Sequence, residues 1–266
     1  MNARPTVPPE AGGKPPLAVA AALLSVAAVL AILINVPSAP PAFPPLPDFA
    51  AYRQTDAMKA AFIDYLTPIV EYQNGLILAD RARLKHIAGD LAEGRRVLWF
   101  DMHWLKRLAR RYEVAWNDDD LASVGDQLLR RVDSIPLSLV IVQAAKESSW
   151  GQSRFALAGN NLFGHWCYDD DCGLMPEQRP RGEIHRVRAF ASVSEAVRSY
   201  LRNLNTHDSY AELRRIRERL RLARRPVTGL ALADGLLFYS ERRADYVDEV
   251  KAMIRQYLSF QNARPE

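Results

Sequence analysis

Only two of the 266 residues are cysteine, so the chain cannot carry a disulfide framework and has at most one bridge. It lacks the glycine-rich loop that cradles nucleotide phosphates, and it lacks the H-E-x-x-H run of zinc peptidases. No internal repeat marks a solenoid. Excess charge is also missing: the net value is +4, and beyond the first apolar run 33 basic residues face 30 acidic ones. Charges of both signs are interspersed, which describes a solvated surface and not a nucleic-acid groove. Neither a nucleic-acid partner nor a cofactor or metal is expected.

What the chain does have is one long uncharged run. Leu17 to Val36 is 20 residues without a charge, the length that crosses a bilayer core. A cleavable signal usually has a shorter apolar region and a small-x-small site. Here the run leads into Pro37-Ser-Ala-Pro-Pro-Ala-Phe-Pro-Pro-Leu-Pro47, and proline near a scissile bond argues against cleavage. Residues 17–36 are therefore expected to be an uncleaved transmembrane anchor. Arg4 and Lys14 precede it, and no charge follows until Asp48. The positive-inside tendency puts residues 1–16, a polar tail expected to be disordered, in the cytoplasm. The bulk of the chain then lies on the far side of the membrane, beyond a stiff proline-rich linker at 37–55.

Export has a consequence for Cys167 and Cys172, five apart in Trp166-Cys-Tyr-Asp-Asp-Asp-Cys-Gly173. In an oxidising compartment a local disulfide is the natural reading. A metal site recruiting His165 or His185 would need four ligands at sensible geometry.

Helical spacing dominates the exported part. Met58, Phe62, Tyr65, Leu66, Ile69, Val70, Ile77 and Leu84 predict a helix from about Asp56 to Leu91, with Pro68 as a kink and Asn74-Gly75 as a weak point. The helix predicted over Trp99 to Tyr112 turns a Trp/Leu face inward. Asp118-Asp119-Asp120 forms the acidic opening of another helix. Ser192-Val-Ser-Glu195 reads as a capping box. The arginines of the Asp208 to Arg224 helix read as a solvated face. Thr228 caps a helix reaching Phe238, and Tyr246, Val250 and Tyr257 line the last one. Between these helices, Ile184, Val187 and Phe190 predict a short strand or hairpin. The division drawn is an N-terminal helical region at 56–115 and a catalytic domain at 116–260.

Glu147 stands out. It ends a nearly all-apolar stretch, Ile135-Pro-Leu-Ser-Leu-Val-Ile-Val-Gln-Ala-Ala-Lys-Glu147, which predicts a buried helix. Pro136 suits the first turn of that helix and Gly151 suits its stop. A carboxylic acid leaving a core helix beside Trp150 is costly to ionise, and the negative end of the helix dipole acts the same way. Such a group suits proton donation near neutral pH. The aromatic faces of Trp150, Trp166 and Tyr246 suit flat ligand surfaces.

Five stretches carry a resemblance: Gln143-Ala-Ala-Lys-Glu-Ser-Ser-Trp-Gly-Gln-Ser-Arg-Phe155, Gly159-Asn-Asn-Leu-Phe-Gly164, the Trp166-Cys167 and Cys172-Gly173 pairs, Tyr200-Leu-Arg-Asn-Leu-Asn-Thr-His207, and Tyr239-Ser-Glu-Arg242. The chain resembles the glucosaminidase-type peptidoglycan hydrolases of glycoside hydrolase family 73, and more closely the bacterial Bax group within that lysozyme-like superfamily. The likeness spans about Ala57 to Tyr257. It implies a mainly α (α+β) fold, a lysozyme-like helical domain with a small β hairpin lobe and a cleft between them. It implies cleavage of the β-1,4 bond after N-acetylglucosamine in peptidoglycan glycan strands. The family's catalytic acid falls on Glu147. Its second carboxylate has no firm counterpart; Glu183, just upstream of the Val187 strand, is the candidate, ahead of Asp169, Asp170 and Asp171. Its active-site tyrosine matches Tyr246, and Asn161, Phe163 and Trp166 would line the sugar cleft. A lytic transglycosylase of the same fold, an amidase acting on the stem peptide, and a non-catalytic wall-binding protein are the competing readings.

Overall fold

Thirty-eight residues, Thr55–Ala92, form one helix, α1, about 57 Å long at the usual rise per residue. The structure is a computed structural model that describes residues 41–176 and 185–264. The expected cytoplasmic tail, the transmembrane run at 17–36 and Glu183 lie outside the described residues. Among the described residues, no helix is long and apolar enough to cross a membrane.

The apolar positions of α1 recur every three or four residues, so Phe62, Leu66, Ile69, Val70, Leu84 and Ile87 share a buried face. The helix runs unbroken through Pro68 and the Asn74-Gly75 pair. Asn74 is not a weak point, because its amide is engaged from outside the helix. Its Nδ2 donates to the Ile135 carbonyl at 2.8 Å, and its Oδ1 accepts from the Ile135 N–H at 3.0 Å. That reciprocal pair ties α1 to the chain just before the central helix.

Two further helices cover the far end of α1. These are α2, Trp99–Arg111, and α3, Leu121–Arg131, the latter capped by Asp120 accepting from the Ser123 N–H at 3.0 Å. Leu84, Ile87, Leu105, Leu108, Val124, Leu128 and Val132 form their common buried cluster. Because α3 packs with α2 and with the end of α1, the border between the two buried clusters runs across α1.

The larger cluster surrounds α4, Leu137–Ser148. Every residue from Leu139 to Ala145 is 3% exposed or less, so this helix is buried on all sides. It packs against α1, against α8 (Gly229–Ala233) and against α9 (Ala244–Ala263). Between α4 and these last helices come α5 (Arg154–Gly159), α6 (Val193–Thr206) and α7 (Ala211–Leu222). Ser192 caps α6 as the pattern predicts, accepting from the Glu195 N–H at 3.2 Å, while Glu195 reaches back to the Ala191 N–H.

The predicted hairpin is a three-stranded antiparallel sheet in the order β1-β3-β2, with β1 at Trp166–Cys167, β2 at Gly173–Leu174 and β3 at Arg186–Arg188. Trp166 and Leu174 both pair with Val187. Cys167 and Cys172 are joined in a disulfide that closes the β1–β2 loop.

Three expectations change. Arg214 and Arg217 on α7 are buried, Arg217 at 1% exposure, and not on a solvated face. Carbonyls at the end of α3 and just after it lack helical partners, and Arg217 donates to those of Arg130, Asp133 and Ser134. The helix capped by Thr228 stops at Ala233 and tightens into a 3-10 turn at Asp234–Leu236. There the Gly235 backbone lies against Leu213 so closely that a Cβ would fall 2.3 Å from the Leu213 Cα. Last, the linker is not a free spacer throughout. From Phe43 onward it belongs to the compact unit, with Phe49 buried and the Pro44 carbonyl accepting from Tyr65 at 3.0 Å.

Candidate active site

The last turn of α4 places Glu147 half-buried. Beyond it the chain leaves the helix through three successive left-handed residues: Ser149 (φ 51°), Trp150 (φ 59°) and Gly151 (φ 78°). A positive φ is costly for a tryptophan, and such strain persists only where the surroundings enforce it. Here they do. Ser148 Oγ donates to the Ala144 carbonyl at 2.6 Å and accepts from the Gly151 N–H at 2.7 Å. A Cβ at Gly151 would meet the Phe49 ring at 2.7 Å. The N-terminal strap therefore clamps the exit from the helix that carries Glu147.

Tyr246, in the first turn of α9, donates its hydroxyl to Glu147 Oε1 at 2.7 Å. Gln143, one turn back on α4, donates from Nε2 to the Tyr246 oxygen at 2.9 Å. Tyr200 on α6 donates to Gln143 Oε1. All three are 3% exposed or less. Aromatic packing encloses this chain: Phe163 stacks on Tyr200 with centroids 4.0 Å apart, and Tyr239 stacks on Tyr246 at 5.4 Å. Tyr239 also donates to the Phe163 carbonyl at 3.0 Å, joining the Gly159–Gly164 turn to the start of α9.

Burial pushes the Glu147 carboxyl above the ordinary glutamate range. The Tyr246 hydrogen bond and the Lys146 charge pull the other way without cancelling it. Lys146 is itself paired with Glu249 at 2.5 Å. Burial, and then the Glu147 carboxylate, hold the Tyr246 phenol far above its usual value, so it serves as a neutral donor. Among the described residues Glu147 enters no salt bridge.

The other expected site residues divide. Asn161 is 2% exposed, and its amide bonds only to backbone: it donates to the carbonyls of His165 and Arg188, and it accepts from the N–H groups of Phe163 and His165. It stitches the turn to β3. Phe163 is buried beneath Tyr200 and does not present its ring to solvent. Trp150 packs edge-on against Phe62 and lines an apolar groove with Lys59, Ile63, Met253 and Tyr257. Trp166 is 57% exposed on β1, one ring face stacked on His185 at 4.2 Å. Asp169, Asp170 and Asp171 are exposed at the loop tip. His165 is enclosed by Phe163, Phe190 and Tyr200, and burial followed by the Arg188 charge lowers its pKa to about 4. With both thiols joined, the cysteine–histidine metal site is set aside. Among the described residues no group of three or more His, Cys, Asp or Glu is placed to hold a metal.

Gln143, Tyr200 and Tyr239 were not among the expected site residues. The available signal was Gln143, a lone amide inside an apolar helix, since buried polar groups require partners.

Residues 124–259 match the glucosaminidase family, described as mannosyl-glycoprotein endo-beta-N-acetylglucosaminidase. Protein bax of Escherichia coli (strain K12) is 36% identical over 210 residues, which cover 78% of this chain and 73% of that protein. The chain belongs to the glucosaminidase family, in its Bax-like group. That makes the half-buried glutamate the end of a glycosidase-family helix, and the mainly helical fold with a small sheet fits the lysozyme-like domain expected of the family. No solved structure matches the chain.

Proposed function

We propose that this protein is a membrane-anchored peptidoglycan hydrolase that cleaves the β-1,4 bond after N-acetylglucosamine, with Glu147 as the general acid. The carrying observation is the state of Glu147: a half-buried carboxyl, raised in pKa by desolvation, whose described hydrogen-bond partner is the neutral Tyr246. Glycosidic cleavage needs a proton on the leaving oxygen, and a carboxyl with a raised pKa holds one more readily than an ordinary glutamate. The positive charge that develops on the sugar must then meet a carboxylate, a water or the substrate's own acetamido group. Glu183 is the candidate second carboxylate, and Trp166 offers an exposed aromatic face to a sugar ring.

The uncharged run at 17–36 and the Cys167–Cys172 bridge both support an inner-membrane protein whose catalytic part faces the periplasm. Digestion of peptidoglycan by the full-length protein in detergent, followed by mass spectrometry of the new ends, tests the activity. Reducing N-acetylglucosamine ends are expected. Anhydro ends would identify a lytic transglycosylase, released stem peptides an amidase, and binding without cleavage a wall-binding protein. Fractionation with residues 17–36 deleted tests the anchor; a variant still held in the membrane would refute it.

A further inference from the structure

A general acid must keep its proton on the oxygen that faces the sugar, and Glu147 has two oxygens. The following rests on the reading of Glu147 as the acid. The chain Tyr200–Gln143–Tyr246–Glu147 has a direction, because a hydroxyl donates once and an amide has one donor end and one acceptor end. In the observed direction Tyr200 donates to Gln143 Oε1, Gln143 Nε2 donates to Tyr246, and Tyr246 gives its own hydrogen to Glu147 Oε1. With the amide turned over, Tyr246 would donate to Gln143 and accept the hydrogen of a protonated Glu147. The acid proton would then be tied to a phenol and withheld from the glycosidic oxygen.

Tyr200 decides between the two. Its ring is fully buried and stacked on Phe163, and Gln143 is its described hydrogen-bond partner. In the reverse direction its hydroxyl hydrogen would be buried without an acceptor, a state that native interiors avoid. Glu147 Oε2, in contrast, has no described partner. The buried side-chain atom that lacks one among the described residues is His165 Nε2, so Oε2 is not sealed in the interior.

We propose that Tyr200 and Gln143 are positioning residues that fix the direction of this hydrogen-bond chain, reserve Glu147 Oε1 for the Tyr246 hydroxyl and confine the acid proton to the other oxygen, Oε2. The groups acting on Glu147 are Tyr246 on α9 and Lys146 on α4, and the Glu147 carboxylate in turn acts on Tyr200 on α6 and on Tyr210 and Tyr239 from the connections. Lys146 is neutralised by Glu249 on α9, which Arg242 also holds. Of these groups, Tyr246 alone donates a hydrogen bond to the carboxyl, so a reversal of the chain acts through it.

The test compares full-length wild type with Tyr200→Phe and Gln143→Glu. It reads kcat and KM across pH on peptidoglycan, together with a carbon NMR titration of the Glu147 carboxyl. Tyr200→Phe frees the amide to turn over. Its kcat is expected to fall about tenfold or more, within the range of acid catalysis, with KM unchanged. The Glu147 titration should move to higher pH, because its protonated form gains Tyr246 as an acceptor. Gln143→Glu supplies a carboxylate that accepts from both tyrosines, and it should shift both readouts the same way. If that buried charge unfolds the protein, Tyr200→Phe carries the test alone. Wild-type kcat in Tyr200→Phe, or a fall in kcat with an unmoved titration, overturns the proposal. A Glu147→Gln variant as active as wild type would instead refute the acid reading, and the NMR titration would still report the direction of the chain.

Discussion

This fold holds two polar networks, and each contains a carboxylate. Asp133, just after α3, is 2% exposed and lies among Arg81, Arg217 and Arg221, with Arg221 donating at 2.9 and 3.1 Å. Glu147 is half-buried and bonded to a phenol. Burial by itself pushes both carboxyls up. At Asp133 the Arg221 hydrogen bonds and the charges of Arg217, Arg81 and Arg221 outweigh that cost, and its pKa falls below the usual value. At Glu147 the neutral donor and a lysine already paired elsewhere do not, and its pKa stays raised. The partners, more than the depth of burial, decide which acid is ionised structure and which can hold a proton for chemistry.

Four measurements break or sharpen that contrast. Glu147→Gln should cut turnover by about a hundredfold to ten-thousandfold, the span of acid catalysis, with the fold retained by circular dichroism. More than about a hundredth of wild-type rate would count against its role. Asp133→Asn should do the reverse, lowering stability by about 3–5 kcal/mol in denaturant unfolding because it leaves buried arginines uncompensated. A loss under about 1 kcal/mol would mean that the arginines are held by backbone carbonyls alone.

The pH dependences should have opposite signs. Asp133 has a lowered folded pKa, so its contribution is present above the unfolded value, about 3.9, and is lost as pH falls through the folded value. Glu147 has a raised folded pKa, so its ionisation destabilises the fold progressively as pH rises from the ordinary glutamate range through that value. Melting curves of Glu147→Gln and wild type should therefore coincide at low pH and separate at neutral pH, with the variant more stable. A gap that does not grow with pH would contradict the raised value. The smallest effect belongs to the β lobe. Replacing both cysteines by alanine releases a short loop worth about 2 kcal/mol by loop entropy, visible in urea unfolding; an unchanged midpoint would mean the bridge contributes nothing to stability.

Much of the helical layout was legible in the sequence. The three- and four-residue spacing along α1, the Ser192 cap and the apolar run of α4 are local signals, and they mark elements wherever the chain folds. Glu147 was legible for the same reason, at the end of a run too apolar to lie anywhere but the core. The arginines of α7 were not. A sequence of alternating charges looks solvated until one knows that unpaired carbonyls after α3 lie across from it. Asn161 stayed open in the sequence: a polar residue in a glycine-flanked turn suits either a ligand or the turn's own backbone, and only the fold shows its amide occupied by backbone.

By itself, then, the sequence determined where most helices lie, which of their faces are apolar, and which carboxylic acid leaves the core. Hydrophobic periodicity and capping act over a few residues and need no knowledge of the rest of the chain. Only the tertiary structure decided that Tyr200, Gln143 and Tyr246, separated by 57 and 103 residues along the chain, form one directed line of hydrogen bonds ending on Glu147. Hydrogen bonds between distant side chains depend on packing distances of a few tenths of an ångström, and no local pattern in the chain encodes those.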